Sequence, residues 1–197
     1  MINKQIITIE GVTYDLKDVL FVFALQSESG DYFNEFNVCY TGIGKVRATY
    51  FLLESINKYS PKLIINLGSV GSNVFKKGEM VCCTKFIQRD MNLEGLGFKK
   101  YETPFTTDNT IILKNGLKFN HLPTATCGTG DQFETALNSN DYEVVDMEAF
   151  AIAWTALQKN IPFLCIKYIT DGADSDASKD WKKEVISSGS LFKNLFL

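Results

Sequence analysis

Two acidic side chains, Glu148 and Asp171, stand 23 positions apart at junctions of regular structure. Glu148 lies in Val145-Asp146-Met147-Glu148-Ala149-Phe150-Ala151 and opens an apolar helical stretch. Asp171 lies in Ile169-Thr170-Asp171-Gly172-Ala173-Asp174 and follows an apolar strand, Phe163 to Ile169. In open α/β sheets, ligands bind in the crevice outside the carboxyl ends of the strands. Two carboxylates delivered there can do acid and base work on one substrate. Helix capping is the competing use of each residue. Asp146 suits a cap. Glu148 suits it less, because Ala149 to Ala153 are apolar, so its carboxylate is expected to face a pocket or a buried partner. For the last helix, Asp174, Asp176 and Ser178 are nearer caps than Asp171.

The elements that must position these groups read as α/β. Ile6 to Leu16 alternates weakly around Glu10-Gly11 and suits a small hairpin. Val19 to Leu25 is a continuous apolar run, as expected of a strand buried on both faces. Phe36 to Thr41 leads into Gly42-Ile43-Gly44-Lys45 and a helix over Val46 to Tyr59, with Val46, Tyr50, Leu53 and Ile56 or Asn57 on one face. Ser60-Pro61 ends it. Leu63 to Leu67 is the next buried strand, running into a turn, Gly68-Ser69-Val70-Gly71. Strand, glycine turn, helix, strand is the pattern of a parallel sheet. Glu79 to Ile87 reads as a long strand, Arg89 to Phe105 as a loop, and Thr124 to Cys127 as a short strand. A helix from about Asp146 to Lys159 is stopped by Asn160-Ile161-Pro162. A last helix from about Ser178 to Leu197 offers Trp181, Val185, Leu191, Phe192 and Leu195 for packing.

Composition narrows the function classes. The 197 residues fit a single domain, 1–197, with a net charge of −3. Lys99-Lys100 and Lys182-Lys183 are isolated pairs, so no nucleic-acid surface is expected. Val19 to Leu25 is too short to span a bilayer and lacks a basic flank, so no membrane partner and a cytoplasmic location are expected. The five cysteines have no metal spacing and read as buried free thiols; Cys82 and Cys83 should point to opposite faces of their strand. A lone histidine, His121, sits in a polar loop and supports neither a His-dependent metal site nor a Ser-His-Asp triad. No metal or cofactor is expected. Each glycine motif is ambiguous alone. Gly42-Ile43-Gly44-Lys45 lacks phosphate-loop spacing but its N–H groups could face an electron-rich ligand. Phe133, after Gly130-Asp131-Gln132, is either core or a stacking platform for a base, worth ~1–3 kcal/mol.

Taken in order, Gly42 to Val46, Asn66 to Gly71, Gly130 to Phe133, Asp146 to Ala149 and Thr170 to Asp174 resemble the nucleoside phosphorylase/nucleosidase superfamily. The closest resemblance is to the 5′-methylthioadenosine/S-adenosylhomocysteine nucleosidases, over roughly Val19 to Leu197. This implies a three-layer α/β/α fold with a mixed central sheet, a homodimer, and metal-free hydrolysis of the N-glycosidic bond of adenosine thioethers. By resemblance, Asp171 is the acid to adenine N7, with Ser69 as an orienting hydroxyl beside it. Glu28 activates water and Glu148 holds the ribose hydroxyls. Met147 packs under the sugar, Phe133 stacks on the base, and the Glu134 backbone reads the adenine edge. Gly68 belongs to the turn, Ile43 lines the 5′-thio side, Ala24 belongs to the first-strand segment, and Trp181 covers the pocket. Phe98, Tyr101 and Phe105 are candidates to reach a neighbouring subunit.

Water is the expected nucleophile. Phosphorylases of the superfamily place an arginine just before the Gly-Ser turn, where this chain has Asn66-Leu67; Arg47 and Arg89 are the nearest other candidates. A phosphate-dependent nucleoside phosphorylase and a catalytically weak nucleoside-binding protein are the alternatives. Two segments are shorter than the family pattern. One follows Glu28, which reaches Phe36 within eight residues; the other lies between Phe133 and Asp146, where a helix must be reduced or absent.

Overall fold

A computed structural model describes residues 5–105 and 111–196. In chain order the elements are β1 (Ile6–Ile9), β2 (Val12–Asp15), β3 (Val19–Phe23), α1 (Gln26–Ser29), β4 (Asn37–Tyr40), α2 (Lys45–Tyr59), β5 (Leu63–Gly71), β6 (Met80–Gln88), β7 (Thr124–Thr129), β8 (Val144–Asp146), α3 (Ala149–Gln158), β9 (Phe163–Asp171) and α4 (Ala177–Lys193). β1 and β2 form the expected antiparallel hairpin. Seven strands form a mixed sheet in the order β4-β3-β5-β8-β7-β6-β9, and a further β5–β9 pairing closes five of them into a ring. β3–β4, β3–β5, β5–β9, β6–β7 and β7–β8 are parallel; β5–β8 and β6–β9 are antiparallel.

Side-chain alternation divides the core into two layers. Leu20 and Val22 of β3 join a cluster with Ala48, Leu52 and Ile56 of α2 and Ile152 of α3. Phe21 and Phe23 join the opposite cluster, with Phe192 of α4 and Ile7 and Ile9 of the hairpin. Cys83 lies in the first cluster and Cys82 in the second, as alternation requires. All five thiols are free and buried. Helices therefore cover both faces of the sheet, the three-layer arrangement.

Four features differ from expectation. β5 continues through Gly68-Ser69-Val70-Gly71, so this segment is strand. β9 pairs along nearly its whole length, and that ladder overrides the local turn preference of glycine and serine. α2 packs through Ala48, Leu52 and Ile56, while Val46 and Tyr50 face outward, 81% and 59% exposed. Asp146 ends a short strand, β8, and α3 begins three residues later, at Ala149. α4 ends at Lys193, Leu191 is exposed, and Leu197 lies outside the described residues. Between β7 and β8 no helix forms, in keeping with that segment's shortness. Among the described residues no helix is long and apolar enough to cross a membrane.

Candidate active site

A cavity of about 250 Å³ opens at the carboxyl ends of β3, β5 and β9. Glu28, Glu148 and Asp171 all line it. Ala24, Ile43, Ser69, Phe133, Glu134, Met147 and Trp181 line it too. Gly68 does not. It lies behind the wall, where an added Cβ would come within 3.1 Å of a Glu28 carboxylate oxygen and 3.4 Å of Lys167 Nζ. Its missing side chain makes room for those two groups.

Each carboxylate has its own setting. Glu28, 3% exposed on α1, accepts four hydrogen bonds. Oε2 takes the Ala24 and Leu25 N–H groups, each at 3.0 Å, and Oε1 takes the Ser69 N–H and hydroxyl, each at 2.9 Å. The Trp181 indole N–H donates to Ser69 Oγ at 2.9 Å, which aims the Ser69 proton at Glu28. Ser69 is thus the partner of Glu28, a correction to its expected place beside Asp171. The short β3–α1 connection and strand β5 bring the two together.

Asp171 ends β9 at the cavity wall. Its Oδ2 accepts the Thr170 hydroxyl at 2.8 Å and its Oδ1 the Ala173 N–H at 2.9 Å. Burial pushes its carboxyl above the ordinary range against these two bonds, and the Asp174 and Asp180 carboxylates add to the rise. Such a group holds its proton to higher pH than a free aspartate does.

Glu148 stands at the N-cap position of α3 without capping it; Asp146 does that, accepting the Ala149 N–H at 2.9 Å. Glu148 instead accepts the Gly44 N–H at 2.8 Å, across 104 residues of sequence. Gly44 has φ 95°, a conformation that glycine adopts without strain, and the turn Gly42 to Gly44 aims that amide at Glu148. Burial, reinforced by the nearby Asp146 carboxylate, pushes the Glu148 carboxyl up to about 8.

Sequence reasoning missed Lys167. This lysine sits in the middle of buried β9 and pairs with Asp146 at 2.9 Å, both side chains almost fully enclosed. Burial would lift the Asp146 carboxyl, but the Lys167 ammonium and the Thr129 hydroxyl, 2.6 Å away, hold it below its ordinary value. A lysine inside a doubly buried strand run was the available signal, since such a charge requires a partner. Of the arginines, Arg89 lines the cavity, bound to Glu134 and the Gln132 carbonyl. Arg47 lies over the Phe51 ring. Asn66 is buried and donates to the Val22 carbonyl at 3.0 Å. Tyr101 is 5% exposed and its hydroxyl donates to Asp141, so it is not free to reach a neighbour; Phe105 is 92% exposed and stacks edge-on with Phe98. Among the described residues no group of three or more His, Cys, Asp or Glu side chains could hold a metal ion.

A family model described as the phosphorylase superfamily matches residues 28–195. The 5′-methylthioadenosine/S-adenosylhomocysteine nucleosidase of Buchnera aphidicola subsp. Schizaphis graminum (strain Sg) is 34% identical over 165 residues, covering 74% of this chain and 70% of that one. The chain belongs to the phosphorylase superfamily. A second such nucleosidase, from Buchnera aphidicola subsp. Baizongia pistaciae (strain Bp), is 32% identical over 91% of this chain and 74% of its own. Two solved structures share the fold. Futalosine hydrolase of Helicobacter pylori strain 26695 aligns with a TM-score of 0.80 at 16% identity, over 91% of this chain and 95% of that one. The nucleosidase of Neisseria meningitidis, in complex with methylthio-immucillin-A, aligns with a TM-score of 0.78 at 20% identity, over 91% and 96%.

Proposed function

We propose that this chain hydrolyses the N-glycosidic bond of 5′-methylthioadenosine, S-adenosylhomocysteine or a related adenosine derivative and releases adenine. The observation that carries the reading is the convergence of Glu28, Glu148 and Asp171, distant in sequence, on one cavity with a half-exposed Phe133 at its wall. N-glycosidic cleavage passes through a cationic sugar, as glycoside hydrolysis does. Adenine leaves poorly as an anion. Asp171, raised by burial, gives its proton to N7 as the C–N bond breaks. Water adds to the anomeric carbon, and its proton passes to Glu28. In the present arrangement the four acceptor positions of Glu28 are filled, so water reaches it as the Ser69 hydroxyl turns aside. Glu148 holds the ribose hydroxyls, and the developing positive charge favours its ionised form, which tightens that grip in the transition state. Met147 packs under the sugar, Phe133 stacks on adenine, the Glu134 amide meets its edge, and Ile43, Ala24 and Trp181 enclose the 5′ side.

Water is favoured over phosphate because the cavity offers no free guanidinium. Arg89 is engaged by Glu134 and Gln132, and Asn66 is tied into the sheet. The whole chain acts as one domain, and two copies pair through exposed apolar side chains of α2. Five free thiols suit a reducing cytoplasm.

The test is a panel of 5′-substituted adenosines with and without phosphate, read by free adenine. Phosphate-independent release supports hydrolysis; strict phosphate dependence selects a phosphorylase; tight adenine binding without turnover selects a binding protein. Asp171→Asn should lose about 10²–10⁴-fold in kcat with its circular dichroism unchanged. Equal turnover by this variant and the parent would remove Asp171 from its role.

A further inference from the structure

Arg89 follows β6 and reaches under the irregular segment between β7 and β8, which carries Phe133 and the Glu134 amide. Its side chain is 7% exposed. One terminal nitrogen donates to the Gln132 carbonyl, and the other lies 3.3 Å from a Glu134 carboxylate oxygen. The Arg89 side chain packs close against Gly130, where an added Cβ would fall 3.0 Å from Cζ. The Arg89 N–H donates to the Thr129 carbonyl at 2.8 Å. Next to it, Asp90 accepts the Asp131 N–H at 2.9 Å and the Lys45 ammonium at 2.5 and 2.6 Å. Lys45 in turn donates its own N–H to Asp131 at 2.8 Å. Arg89 and Asp90 thus grip the first part of this segment, Asp131 to Glu134, which has no helix or strand of its own. Among the described residues the Arg89 Nε is buried with no partner. A buried orphan donor is costly and calls for an explanation; here the planar fork is spent on the segment at the expense of its third nitrogen.

We propose that Arg89 is a positioning residue that sets base specificity, by fixing the Gln132–Glu134 backbone against the edge of the bound purine. The inference rests on the adenosine-cleaving reading given above. Adenine presents an acceptor at N1, whereas hypoxanthine presents an N–H there. A backbone N–H held rigidly at that edge donates to the first and clashes with the second, and a loosened one discriminates less. Lysine cannot replace the fork, because it carries a single point charge.

The experiment compares the parent with Arg89→Met and Arg89→Lys on 5′-methylthioadenosine and 5′-methylthioinosine. Loss of a charge-assisted contact predicts about a tenfold or larger rise in KM for the adenosine substrate, with kcat changed less than about threefold. The preference in kcat/KM for adenosine over inosine should fall about tenfold in Arg89→Met, with Arg89→Lys restoring KM in part but not the preference. An unchanged preference in either folded variant, or a loss confined to kcat, overturns the proposal. If Arg89→Met fails to fold, Arg89→Lys carries the same readouts. A parent that cleaves neither substrate removes the nucleosidase reading instead. The clasp is then judged by calorimetric Kd values for adenine and hypoxanthine, whose ratio should shift in the variants, and an unshifted ratio overturns it.

Discussion

The raised carboxyl of Glu148 has a consequence for stability that is separate from catalysis. An ordinary glutamate ionises near 4.5, whereas burial and Asp146 push Glu148 up to about 8. Between these values the folded protein keeps a proton that the unfolded chain has released. Stability therefore falls as pH rises through this window, being fully present below about 4.5 and lost by about 8. Glu148→Gln cannot titrate and still accepts the Gly44 N–H through its amide oxygen. Thermal unfolding at pH 5, 6.5 and 8 should show the parent losing Tm relative to Glu148→Gln, with each kcal/mol worth about 2–4 °C in a chain of this size. Asp171 shifts in the same direction, but it is common to both proteins and drops out of the difference. Parallel pH slopes would mean that Glu148 is charged in the fold. The carboxylates themselves were legible in the sequence because an acid at the end of an apolar strand, or opening an apolar helix, has few structural uses. Their partners were not legible. Glu148 meets Gly44 and Glu28 meets Ser69 only after the sheet has assembled, so no local pattern marks the pairs.

At the scale of elements, the position of Asp171, the proposed acid, depends on how closely β5 approaches β9. The register shifts between Val70 and Gly71, just where Asp171 must turn into the cavity. A Cβ on Gly71 would fall 2.6 Å from Asp171 Oδ1 and 3.0 Å from the Ala173 Cβ. Gly71→Ala must therefore displace the carboxylate or part the strands. The expected result is a drop in kcat of about tenfold or more with about 1–3 kcal/mol of lost stability, from overpacking at a close contact. Urea unfolding beside adenine-release kinetics measures both; full kcat in a stable variant would show that the strands have slack. The same contact explains the main misreading of the fold. Gly68 to Gly71 has the composition of a turn, and only pairing with β9 makes it strand. The continuous apolar runs of β3, β5 and β9 were legible because burial on both faces leaves little room for polar residues. β8, three residues long, is too short to show a period.

At the scale of the whole molecule, the apolar face that the sequence places on α2 is split: Ile56 near its end is buried, while its first turns point to solvent. Val46 and Tyr50, one turn apart, are 81% and 59% exposed, and Ile43 beside them is 51% exposed. α3, packed against α2, leaves Trp154 and Leu157 exposed as well. A hydrophobic helical stripe shows the same period whether it meets its own sheet or another subunit, so the sequence alone could not assign it. Exposed apolar surface of this kind marks an interaction site. The isologous contact of a twofold dimer needs one self-complementary patch, and the proposed pairing places it on these helices. Ile43 lies both on this face and at the cavity wall, so pairing would close the 5′ side of the cavity. Sedimentation equilibrium should give a dimer for the parent, with an interface of about 1,200–2,000 Å² in total. Val46→Asp combined with Tyr50→Asp should give a folded monomer, because truncating a central aromatic and adding buried like charges removes the contact. That monomer should retain Glu28, Glu148 and Asp171 in place but bind 5′-thio substrates more weakly, with KM rising more than kcat falls. A parent that sediments as a monomer and turns over at full rate would show that one chain closes its own site.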